Sequence, residues 1–140
     1  MIGKPYLQVQ STSKQVMNPK LSMALRVLLG LFFLIFGVNK FLNFLPPFPS
    51  EGMFGELMGI FVHTGFLKLI AVLEILIGLA LLTGKFVPLA LIFAVAIMFN
   101  AAVFHLLLDP GNVGGALVGL ILSLVNIYAN KPRFLSILSP

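Results

Sequence analysis

Four long apolar stretches, residues 21–45, 66–83, 86–108 and 113–129, alternate with short breaks rich in proline, glycine and charge. Periodicity cannot separate helix from strand in runs this apolar, but length can, because strands seldom exceed 4–8 residues. A helix of about 20 residues spans the hydrocarbon of a bilayer. It also satisfies its own backbone hydrogen bonds, which an open strand in lipid cannot do. The pattern predicts an all-α integral membrane protein built as a four-helix bundle.

The breaks carry turn chemistry. Thr83, Gly84 and Lys85 join the second and third spans tightly, with Pro88 tolerated in the first helical turn. Asp109, Pro110, Gly111 and Asn112 form a turn between the third and fourth. Short links of this kind make consecutive helices antiparallel neighbours. The first link is longer. Pro46, Pro47, Phe48 and Pro49 stop the first span, Ser50 can N-cap a new helix, and Glu51 suits its positive end. Met53, Phe54, Leu57, Met58 and Phe61 follow helical spacing, with Glu51, Gly55 and Glu56 elsewhere. Residues 51–62 therefore read as a short amphipathic interfacial helix on the membrane surface, ended near Thr64 and Gly65 and able to cap the bundle. Residues 1–20 contain no apolar core of a signal peptide and read as a flexible cytoplasmic arm before an uncleaved anchor. Residues 131–140 read as a cytoplasmic tail.

Composition agrees with the pattern. The 140 residues are 59% hydrophobic and 9% charged, against about 25% charged in a soluble domain. Mean hydropathy is +1.09. The absence of cysteine excludes disulfides, thiol chemistry, thiolate metal sites and covalent haem. The net charge of +5 reads as topology rather than nucleic-acid binding. With both termini inside, Lys4, Lys14, Lys20, Arg26, Lys85, Lys131 and Arg133 fall on the inner side, and only Lys40 and Lys68 on the outer. That asymmetry predicts a multi-pass protein of the cell membrane with cytoplasmic termini.

Glu74 lies within the otherwise apolar run LIAVLEILIGLALL. Unpaired near mid-membrane it would cost roughly 2.5–3.5 kcal/mol, and so short a side chain cannot snorkel to water as Lys can. It must be neutral, paired or facing a polar cavity. At about 1.5 Å per residue, Lys40 lies about 7–8 Å below the outer surface, Glu74 and Asn100 about 12 Å, and His105 about 5 Å. Asn39 accompanies Lys40, and Asp109 follows His105 by one turn, close enough to orient its ring. Glu74, Lys40, His105, Asn100 and Asn39 are thus candidates for ligand binding or proton relay in the outer half. Plainer roles compete: Lys40 could snorkel or pair with Glu74, Asn100 could join helices, and His105 with Asp109 could mark a wet helix end. Asn100 and His105 stand about 140° apart on one helix, so they cannot both face one spot. Arg26 and Asn126 are structural candidates on the inner side, where Arg26 can snorkel or meet Asn126. His63 reads as interfacial.

Gly111, Gly115, Gly119 and Ser123 form a small-residue stripe that suits packing within the bundle or a homo-oligomer. Gly30, Gly37 and Gly78 offer further close approach. No metal-ligand set and no intrinsic cofactor motif is present; two histidines on the outer side could at most ligate one haem. The fourteen Phe residues would accommodate a flat ligand such as a quinone.

Several segments together resemble a known family. They are RVLLG from Arg26 to Gly30, FGVNKF from Phe36 to Phe41, EILIG from Glu74 to Gly78, Gly84, and Asn100 with Phe104 and His105. Over residues 21–128 the chain resembles the DoxX/DoxD-like family of small four-helix integral membrane proteins. The resemblance implies a four-helix transmembrane bundle with Arg26, Gly37, Lys40, Glu74, Gly78 and His105 as its characteristic positions. Some such proteins are subunits of thiosulfate:quinone oxidoreductase or associate with membrane oxidant-defence complexes; distant ones act as assembly factors or cargo receptors. The expectation is an accessory of a quinone-linked redox system, with the Lys40–Glu74–His105 region as its site and an oxidoreductase subunit as its partner. The alternative is a non-catalytic scaffold or assembly factor for another membrane protein, and a small-solute carrier is more distant. A stand-alone enzyme is not expected.

Overall fold

The computed structural model describes residues 16–47 and 50–138 and is all-α. Among the described residues there are six helices: α1 (Pro19–Leu42), α2 (Gly52–His63), α3 (Phe66–Thr83), α4 (Val87–Leu108), α5 (Gly114–Ala129) and α6 (Lys131–Leu138). A 3₁₀ turn, Pro110–Asn112, links α4 to α5.

Local chemistry explains the boundaries. Asn18 N-caps α1, its side chain accepting from the Lys20 N–H at 2.9 Å, and Pro19 opens the first turn. Residues 19 and 20 of the expected arm are therefore helical, while residues 1–15 lie outside the described residues. At its far end α1 stops at Leu42, short of the expected 45, because Asn43 turns left-handed at φ 50°. Phe48 and Pro49, half of the expected proline stop, lie outside the described residues. α3 occupies the expected 66–83, bounded by Gly65 and Gly84 at φ 76° and 73°, conformations that glycine adopts without strain. α2 begins at Gly52 with Glu51, not Ser50, in the capping position and no side-chain cap. The expected C-terminal tail instead forms α6, bent 71° from α5.

α1, α3, α4 and α5 pack in cyclic order around one core, and α2 lies against α3 and α4. The α1–α3 contact is the most extensive. Glycine makes it so: a Cβ on Gly78 would lie 2.9 Å from the Gly30 carbonyl and the Leu34 N–H, and one on Gly37 would lie 3.0 Å from the Glu74 Cβ. Leu29, Phe33, Leu81, Val87 and Leu91 are fully buried in the core. The outward faces are equally apolar, with Leu28, Leu31, Ile35, Leu69, Leu76 and Ile92 exposed. A surface apolar on both sides is what a helix needs when its solvent is lipid. α1, α3 and α4 are each long and apolar enough to cross a membrane; the 16-residue α5, about 24 Å long, reaches that length only together with α6.

The small-residue stripe divides. Gly119 faces inward, against Phe32 and the sulfur of Met98, and Ser123 is buried with its hydroxyl donating to the Gly119 carbonyl at 2.7 Å. Gly111 and Gly115 face open space. The two ends of the stripe thus point into different surroundings.

Candidate functional site

Lys40 and Glu74 meet across the α1–α3 seam. The Lys40 ammonium donates to Glu74 Oε2 at 2.5 Å and lies 3.5 Å from the Phe36 carbonyl. Their placement follows from the backbone. Gly37 lets the Glu74 Cβ approach α1, and Lys40, one turn further on, folds its long stem back over that contact. The pair is unequal: the Lys40 side chain is 21% exposed and that of Glu74 only 5%. Of the three ammonium protons, one is left without an acceptor among the described residues. Glu74 Oε1 accepts no hydrogen bond among the described residues. One free donor therefore stands beside one free acceptor, at the edge of a pair whose carboxylate is shielded from solvent.

The other outer-half candidates lie elsewhere. Asn39 uses its side-chain oxygen to accept the Leu45 N–H at 2.7 Å, closing the turn after α1. Asn100 is exposed and donates to its own helix at the Ala96 carbonyl, 2.8 Å away. His105 makes no hydrogen bond or ion pair with Lys40 or Glu74 among the described residues. Its Nδ1 lies 3.8 Å from Asp109 Oδ2, too far for a hydrogen bond, and that buried nitrogen has no hydrogen-bond partner among the described residues. Asp109 instead accepts from Asn112 at 3.0 and 3.2 Å. The expected convergence of three helices thus reduces to a two-helix pair with a separate histidine. The reason is angular, since depth along a helix says nothing about the direction a side chain takes.

Three arrangements were not visible in the sequence. Phe54 of α2 stacks on His105, ring centroids 4.6 Å apart, and is the buried residue of that helix. Arg26 neither snorkels free nor meets Asn126. Its Nη1 donates to the Leu81 carbonyl at 2.5 Å, satisfying an orphan acceptor in the last turn of α3. The guanidinium rests over Gly84, where a Cβ would come within 2.7 Å of Nη1. Asn126 is fully buried and donates to the Leu25 carbonyl at 3.2 Å, while its own oxygen accepts no hydrogen bond among the described residues. The glycine after α3 was the available signal for the Arg26 seat; nothing in the sequence pointed to the Phe54–His105 stack. A groove of about 280 Å³ between α3 and α4, lined by Leu73, Leu76, Phe86, Leu89, Phe93 and other apolar residues, offers room for hydrocarbon but nothing to recognise a headgroup.

A helical membrane protein with an interhelical ion pair is the class these features define. The DoxX family model matches residues 21–106, well over half of the chain, and the chain belongs to the DoxX family. No curated protein and no solved structure matches it.

Proposed function

We propose that this DoxX-family protein is an accessory subunit of a quinone-linked redox system in the cell membrane, with Lys40 and Glu74 forming the headgroup site. The single observation that carries the reading is the free donor on Lys40 beside the free acceptor on Glu74. A quinone carbonyl accepts a hydrogen bond and a hydroquinone hydroxyl donates one, so the couple matches both redox forms. Bound there, a quinone would supply two-electron, two-proton chemistry to a partner subunit. Lys40 would orient the headgroup, and Glu74 would hold a proton away from bulk water. His105 stands outside this couple and serves the docking of α2. In this reading α2 lies at the outer membrane interface, the four bundle helices span the bilayer, and the Lys and Arg asymmetry keeps both termini in the cytoplasm.

A second reading has one observation in its favour. Glu74 sits against Gly37 in the close α1–α3 seam, so the ion pair could serve only to fix helix register in a scaffold for a partner membrane protein. Glu74→Gln separates the two, because it keeps the shape and removes the charge. Protein purified gently from its own membranes is analysed by native mass spectrometry with quinone extraction. The redox reading expects a stoichiometric quinone in the wild type that is lost from folded Glu74→Gln. A stoichiometric protein partner without quinone establishes the scaffold, and a folded variant that keeps its quinone removes Glu74 from the site.

A further inference from the structure

We propose that the end of the bundle opposite Glu74 is a recognition surface for anionic phospholipid headgroups, with α6 as the segment lying along them. The inference is independent of the quinone reading. Charge is separated along the bundle: Glu51, Glu56, Glu74 and Asp109, the only acidic side chains in the sequence, all lie in the half where α1 ends and α3 begins. Lys20, Arg26, Lys85, Lys131 and Arg133 lie at the other end, and none has an ion-pair partner among the described residues. All of these except Arg26 are exposed.

The geometry of α6 turns that charge into a surface. Asn130 builds the corner: its side chain donates to the Asn126 carbonyl at 2.8 Å, and its own carbonyl accepts from the Arg133 N–H at 2.9 Å. The resulting 71° bend lays α6 across the bundle axis instead of extending it. Phe134 packs up against the core, while Leu135 and Ile137 remain 55% and 64% exposed beside Lys131 and Arg133. A short helix with bare aliphatic side chains and unpaired cations is suited to the boundary between headgroups and acyl chains. An acidic protein or a nucleic acid would satisfy the cations but leave Leu135 and Ile137 wet. The lipid satisfies both.

The full chain in detergent is titrated with an equimolar mixture of phosphatidylglycerol and phosphatidylcholine, and retained lipids are counted by native mass spectrometry. Each basic residue near an anionic surface is worth about a fivefold gain in affinity, so the wild type is expected to retain phosphatidylglycerol preferentially by about tenfold or more. K131Q/R133Q is expected to reduce that preference by about tenfold or more, with its thermal midpoint in zwitterionic micelles unchanged. Leu135→Ser with Ile137→Ser, a second variant that keeps every charge, is expected to reduce retention of both lipids. Equal retention of the two lipids by the wild type overturns the proposal. So does an undiminished preference in folded K131Q/R133Q, or retention of an acidic protein in place of lipid.

Discussion

Two contacts between a basic side chain and a carboxylate stand in the same half of this bundle and differ in almost every respect. Lys40 and Glu74 come from different helices, 34 positions apart, and touch at 2.5 Å with the carboxylate almost fully shielded. His105 and Asp109 are neighbours on one turn, 3.8 Å apart, and both side chains keep more than a fifth of their surface. The first contact ties helices together and determines which faces meet. The second is a by-product of i,i+4 spacing at a helix end, where Asp109 is already engaged by Asn112. Charges in proximity are therefore not equivalent sites; what distinguishes them is whether breaking the contact strands a charge in a place without water.

That contrast has a steep energetic edge. Lys40→Met leaves Glu74 buried with no counter-charge and no reach to the surface, and should destabilise the fold by about 3–5 kcal/mol. Chemical unfolding in micelles measures it, and a loss no larger than that of an exposed lysine would mean the pair contributes little. Gly78→Val attacks the same seam without touching charge. Its added atoms meet the backbone of Gly30 and Leu34, which cannot rotate away, so a loss of about 1–3 kcal/mol is expected. Full stability in that variant would show that α1 and α3 are less closely apposed. At the other pole, Asp109→Asn should change the unfolding free energy by no more than about 0.5 kcal/mol. A larger effect would raise the His105–Asp109 contact to the rank of the interhelical pair and erase the contrast.

Legibility followed the kind of signal involved. α3 was readable to the residue, because Gly65 and Gly84 are punctuation that only a left-handed turn requires. α1 starts at Pro19, two residues before its apolar run, because Asn18 and Pro19 form an ordinary capping pair that apolar content does not register. α6 escaped because Lys131, Pro132 and Arg133 look like the end of a helix; only the corner at Asn130 makes them the start of another. At the site, one dimension of each position was accessible. Rise per residue placed Lys40, Glu74, Asn100 and His105 at similar depths, and the Lys40–Glu74 pair could be entertained because lysine is long enough to absorb an error of several ångström. Azimuth was not accessible in helices apolar on every side, where no polar face marks the direction of the core. Asn100 therefore points outward and His105 meets Phe54.

The order of helices along the chain gives the ion pair a further meaning during biogenesis. α1 precedes α3 in the chain, so the ammonium of Lys40 leaves the ribosome before the carboxylate that it pairs with. The glycines of the seam let the newcomer dock directly onto the resident helix. Glu74 thereby follows its counter-charge in the order of synthesis, with the partner encoded in its own chain.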